Sequence, residues 1–254
     1  MKSARGALLA AVAITLGACS TQVRSTGDFT TSLARSGEAL PRPQRVVVSG
    51  FEVRPERILL DSGLAPRLQR QAGLSEAGAQ QAALAEDIQR SAVDALVADL
   101  SRMGFVVDRA APGEPLRAGD LLVDGRIVSV DQGNRTRRMV VGFGAGMSDV
   151  QATAAVSYVG VDLVPRLLQT YSAASNSGRR PGLAVGGVSS VAQGSAALGA
   201  LATGLTVGGE AKRSGVAGGA QRLAHELADT LGEFFAAQGW IGPARTAALM
   251  PPRR

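Results

Sequence analysis

MVVGFGAGMSDVQATAAVSY, residues 139–158, carries two β-type alternations in opposite phase. Odd positions Met139, Val141, Phe143, Ala145 and Met147 are apolar, with Gly142, Gly144, Gly146 and Ser148 among their small partners. From residue 150 the even positions Val150, Ala152, Ala154, Val156 and Tyr158 become the apolar set, while Gln151, Thr153 and Ser157 are polar. Strand side chains alternate between faces, so a turn at Ser148-Asp149 would set Met147 opposite Val150 and Met139 opposite Tyr158, with every apolar residue on one side. A slip of one residue would scatter them. The expected element is a long antiparallel hairpin, and two uses of its apolar face stay open. It covers a soluble core, or it faces lipid, in which case several subunits must close a shared barrel because one hairpin cannot cross a bilayer with unpaired edges. On the second use Met139, Val141, Phe143, Ala145, Met147, Val150, Val156 and Tyr158 are the candidate membrane or partner contacts.

Upstream of the hairpin, Phe105-Val106-Val107-Asp108, Leu121-Leu122-Val123 and Ile127-Val128-Ser129-Val130 read as strands, as does 46–53 between Pro43 and Pro55. A turn of helix is expected in 64–73. A longer one follows to about Met103, with Ser75 as its cap and Glu76 in its first turn. Ile88, Ala92, Leu96, Leu100 and Met103 recur at helical spacing as a core stripe, with Glu86, Asp87, Arg90, Asp94 and Asp99 mostly off it. Leu223, Leu227, Leu231 and Phe235 define a second amphipathic helix over 216–238. Both helices end in glycine followed by an aromatic, Gly104-Phe105 and Gly239-Trp240, the pattern of a left-handed cap and a buried anchor. The fold class is therefore α+β: an antiparallel or mixed sheet, two main packing helices, one long hairpin and a Gly/Ala/Ser-rich insertion at 175–219. Within that insertion, 181–209 holds no charged residue, and Ala196, Ala200, Gly204 and Gly208 recur every fourth position. A low-complexity loop, a membrane- or subunit-packing segment and a soluble helix all fit it.

At the other end, Lys2 and Arg5 precede an apolar stretch at 7–16 that is too short to span a bilayer, and Leu16-Gly17-Ala18-Cys19 closes it. This arrangement resembles the bacterial lipobox, which implies cleavage after residue 18 and acylation of Cys19, the only cysteine, with palmitate-type chains. Two or three chains would make the attachment effectively permanent. Ser20 in place of aspartate after the cysteine favours, on the same resemblance, the outer membrane, with the protein facing the periplasm. Residues 1–18 are then a signal peptide, 19–44 an acylated terminus and flexible tether, 45–240 one periplasmic domain and 241–254 a disordered tail.

Chemical motifs are scarce. Gly142-Phe143-Gly144-Ala145-Gly146 lacks the third glycine of a dinucleotide fingerprint, and Gly182 and Gly204 open phosphate-loop spacings that end in Val188 and Glu210 instead of lysine. His225 is the sole histidine, read as solvated or capping, so histidine-rich metal ligation has no ligands to use. The chain holds 27 basic and 21 acidic residues with aromatics at 4%, which gives nucleic acid little to bind or stack on. No catalytic residue, metal or cofactor is expected, and the protein is read as non-enzymatic.

Asp124-Gly125-Arg126-Ile127, Gly133-Asn134-Arg135-Thr136-Arg137-Arg138, the glycine alternation at 142–146 and the strand that runs on to Asp162 carry a resemblance. The chain is similar over 46–240 to an uncharacterised family of bacterial lipoproteins, a domain of unknown function, and more distantly resembles the curli secretion channel lipoprotein. The first resemblance implies a periplasmic binding or assembly module with an envelope protein partner. The second implies a homo-oligomeric secretion pore whose first membrane hairpin occupies 139–158 and whose second falls in 175–219.

Overall fold

The computed structural model describes residues 20–30, 40–73, 76–110, 115–134, 137, 146–177 and 215–242. In chain order its elements are β1 (Thr21–Asp28), β2 (Arg45–Val48), β3 (Glu52–Val53), a 3-10 turn (Pro55–Arg57), β4 (Ile58–Leu59), α1 (Leu64–Gln71), α2 (Ala77–Arg102), β5 (Val107–Arg109), β6 (Asp120–Asp131), β7 (Asp149–Val159), β8 (Pro165–Asn176) and α3 (Val216–Ala237). The fold is α+β, as the periodicities require. All eight strands join one mixed sheet in the order β1-β8-β7-β6-β2-β5, and β3 and β4 continue along the β2 edge of β6.

The hairpin about Ser148-Asp149 does not form. Both edges of β7 are taken: Val150 lies opposite Val130 on β6 and Ser175 on β8, and Val156 lies opposite Val123 and Gln169. β7 therefore has no free edge to offer 139–147, of which 139–145 lie outside the described residues. The phase was legible and the partner was not, because alternation is a property of one strand whereas pairing is decided by which strand elsewhere offers a matching ladder. Here β6 does, with Leu121, Val123, Ile127 and Val130 buried on the same face as Val150, Ala152, Ala154 and Val156. That face covers the core under α2 and α3, so Val150 and Val156 are internal residues and not lipid or partner contacts. Gln151 and Thr153 point to the open, solvated face.

The tether begins as structure. Thr21–Asp28 is an antiparallel edge strand on β8, in register from Thr21 opposite Ser175 to Asp28 opposite Gln169. It shows no apolar period because only Val23 packs against the core, and a polar strand suits an exposed edge. Expected strand 46–53 is likewise broken at Ser49-Gly50, where Phe51 turns fully inward. Its ring occupies the space where a Cβ on Gly125 would stand.

Ile88, Ala92, Leu96, Leu100 and Met103 are all buried in α2. Glu76 is the residue before the first turn of α2, not within that turn, and Ser75 lies outside the described residues. Asp99, expected off the stripe, is 7% exposed. Both helices end in the paired bonds of a left-handed glycine cap. Phe105 N donates to Leu100 O at 3.4 Å and Gly104 N to Ser101 O at 2.9 Å; Trp240 N donates to Phe235 O at 2.9 Å and Gly239 N to Ala236 O at 3.0 Å. The two aromatics so anchored close the core, Phe105 packing tilted against Phe235 with ring centroids 4.9 Å apart and Trp240 against the same ring at 5.6 Å.

Candidate functional site

One end of the sheet gathers the segments that carried functional expectations. At its edge Ser20, the neighbour of Cys19, is locked to the last residue of β8: Asn176 N donates to Ser20 O at 3.0 Å and Asn176 Nδ2 to Ser20 Oγ at 2.8 Å. Thr21 Oγ1 and Ser175 Oγ meet just inside at 3.1 Å. Next to this pair Ser177 N donates to Ser148 O at 3.0 Å, and Ser148 N to Ser177 Oγ at 3.0 Å, with both serines buried. Chain 178–214 departs from one of these serines, and chain 135–145 returns just before the other.

The end continues across β6. Asp131 lies opposite Asp149, its carboxylate accepts Gly133 N at 2.7 Å, and Asn134 N donates to Gly146 O at 3.1 Å. Gly133 and Gly146 hold φ of +67° and +72°, and each approaches the other segment's backbone so closely that a Cβ would strike a carbonyl oxygen. Glycine is required here for both reasons. Beyond, Leu59 lies opposite Asp131, Ser62 N donates to Gly133 O at 3.0 Å, and α1 starts at once. Ser20, the exits of 135–145 and 178–214, and the start of α1 therefore share one rim.

Among the sequence candidates, Met147 is half-buried at this rim, Val150 and Val156 are core, and Tyr158 sits at the opposite end of β7. Burial pushes the Tyr158 hydroxyl above its ordinary pKa. Cys19, Met139, Val141, Phe143 and Ala145 lie outside the described residues, as does 181–209.

Two polar clusters were missed by sequence reading. His225 is partly exposed, as a solvated histidine would be, but it also has a buried partner: its Nδ1 is 2.5 Å from Asp99 Oδ2, and Arg102 meets the other oxygen of that carboxylate. The cluster fastens α3 to α2 across a sequence gap that no local pattern reveals. At the far end of the sheet Arg45, 8% exposed, grips Asp120 through Nε at 3.2 Å and Nη2 at 2.8 Å, and Asp108 through Nη1 at 3.0 Å. Burial works against the Asp120 charge, but Arg45 and the Arg117 N–H, at 2.8 Å, outweigh it and hold the carboxyl below its usual pKa. Among the described residues no three His, Cys, Asp or Glu side chains are placed to hold a metal ion, and no helix is long and apolar enough to cross a membrane.

A family model described as Domain of unknown function (DUF4410) matches residues 46–194. No curated protein matches the chain. Among solved structures, the PelC dodecamer from Paraburkholderia phytofirmans is similar at 17% identity, covering 82% of this chain and 96% of that one with a TM-score of 0.32. A second PelC dodecamer from that organism, a point variant, is similar at 16% identity over 80% and 92% of the two chains, also at 0.32.

Proposed function

The chain belongs to the family of unknown function whose model it matches, and from that premise we propose that it is a non-enzymatic lipoprotein of the bacterial outer membrane, moored by acylated Cys19 and presenting a periplasmic module for binding or assembly with envelope partners. The observation that carries this reading is the bonding of Ser20 to Asn176. Acyl chains on Cys19 would then join the folded sheet with almost no slack, so the rim described above would face the bilayer. Ser177 lies on that same rim, and the stretch 181–209 that follows in sequence carries no charge, which suits a low-dielectric neighbour. Intact mass of the mature amino terminus, together with membrane fractionation, tests the reading. A tri- or diacylated Cys19 in the outer-membrane fraction supports it, and an unmodified thiol on a soluble chain sinks it.

The second reading, a homo-oligomeric secretion pore of the curli-channel type, is favoured by one feature: Ser148, three residues after 135–145, and Ser177, directly before 178–214, are hydrogen-bonded to each other. A wall would have to come from those segments, since β7 is committed to the core. Negative-stain images of detergent-extracted protein decide it, closed rings supporting the pore and monomers in every detergent removing it.

A further inference from the structure

Helix α1 is turned inside out. Leu64 and Leu68, four residues apart on one face, are 73% and 54% exposed, whereas Pro66 and Arg70 on the other face are half-buried. Arg70 Nη2 donates to the Asp61 carbonyl at 2.8 Å, which holds the polar side of the helix against the protein. Leu59, at the end of β4, is 62% exposed nearby in the chain. A surface helix ordinarily points its apolar stripe at the core, so this stripe lacks its apolar counterpart within the described residues.

The chemistry and the location select the counterpart. Residues 64–73 contain Arg67 and Arg70 and no acid, and Arg137, whose backbone N–H is held by Asn134 Oδ1 at 2.8 Å just after β6, adds a further cation to this rim. The rim's carboxylates lie off α1 and are each engaged locally: Asp61 accepts Gly63 N at 2.8 Å, Asp131 accepts Gly133 N at 2.7 Å, and Asp149 accepts Gln151 Nε2 at 3.0 Å. We propose that α1 is a peripheral membrane-docking helix, Leu64 and Leu68 entering the headgroup–acyl boundary of a bilayer that contains anionic phospholipid while Arg67 meets the phosphates. The proposal takes from the anchor reading only the choice of which rim faces the bilayer; the leucine and arginine pattern stands without it. The β7–β8 turn at the opposite end exposes Val161, Leu163 and Val164, but its charges cancel in the Asp162–Arg166 pair at 3.4 Å, so it has no preference for anionic lipid.

The test uses the mature protein reconstituted in phosphatidylethanolamine vesicles with or without phosphatidylglycerol, carrying one environment-sensitive fluorophore on Leu64→Cys, Leu68→Cys or Val161→Cys. Circular dichroism first verifies that each variant is folded. The expected result is a blue shift and quenching by brominated acyl chains at 64 and 68, none at 161, weakened by Arg67→Glu and by omitting phosphatidylglycerol. In the unanchored Cys19→Ser background, Leu64→Ser and Leu68→Ser should each lower partition into anionic vesicles by roughly tenfold. If the protein floats with vesicles through an acylated Cys19 but 64 and 68 report water, α1 docking is overturned and the anchor stands. If Cys19 proves unmodified, the anchor reading fails, and α1 then stands or falls on whether the probe at 68 shifts when phosphatidylglycerol vesicles are added. A shift without vesicles that grows with protein concentration means that a second copy covers the leucines, which also overturns the proposal.

Discussion

Gly125→Ala tests the packing that breaks the first expected strand in two. All three atoms nearest to a Cβ built at 125 belong to the Phe51 ring, and each lies closer than real Cβ contacts come. Phe51 is wholly buried, so the ring cannot swing into solvent without losing its burial. Overpacking of this kind costs about 1–3 kcal/mol. Gly125 is not among the glycines with positive φ, so alanine meets no left-handed penalty and recovers about 0.4–1 kcal/mol by restricting the unfolded chain. The expected net loss is about 1–2 kcal/mol, roughly 2–8 °C in Tm for a domain of this size. Urea unfolding followed by the single tryptophan, Trp240, measures it, since that indole is buried against Phe235 and reports the core. Phe51→Leu supplies the control: with a smaller side chain opposite, Gly125→Ala should cost little or stabilise, leaving a coupling of about 1–2 kcal/mol. Equal costs in the two backgrounds, or no cost in either, would refute the account of why the strand breaks at Phe51.

Gly239→Ala isolates backbone strain, because φ is +72° there and nothing lies within 4 Å of the added methyl; a loss of about 1 kcal/mol by urea midpoint is expected. His225→Ala leaves the buried Asp99 carboxylate with Arg102 alone and should cost about 1–2 kcal/mol in the same assay, toward the lower end since the imidazole is partly exposed. Asp120 has its folded pKa depressed, so its stabilising effect is complete above the unfolded carboxyl value near pH 4 and is lost as pH falls through and below it. The urea midpoint of the wild-type protein should therefore drop more steeply between about pH 5 and pH 2 than that of Asp120→Asn. Omitting phosphatidylglycerol, or adding salt, should lower the vesicle affinity of a Cys19→Ser chain, because a basic surface meeting anionic lipid is screened over a Debye length of about 10 Å at 0.1 M.

Helical periodicity with a glycine stop is a local code, and it determined a good deal here. Ile88 through Met103, Leu223 through Phe235 and the two Gly-aromatic caps could be read residue by residue, because each depends only on neighbours within two turns of helix. The even-position phase of β7 was legible for the same reason. Tertiary structure alone decided what those elements meet. Val150 faces β6 and β8, a strand emerges from polar Thr21–Asp28, and Asp99 finds His225 in another helix, because sheet partners and side-chain hydrogen bonds between helices join residues far apart in the chain. The rim that unites Ser20, Ser148, Ser177 and α1 belongs to this second class. No stretch of sequence contains it, since it exists only once β8 has paired with β1 on one side and β7 on the other.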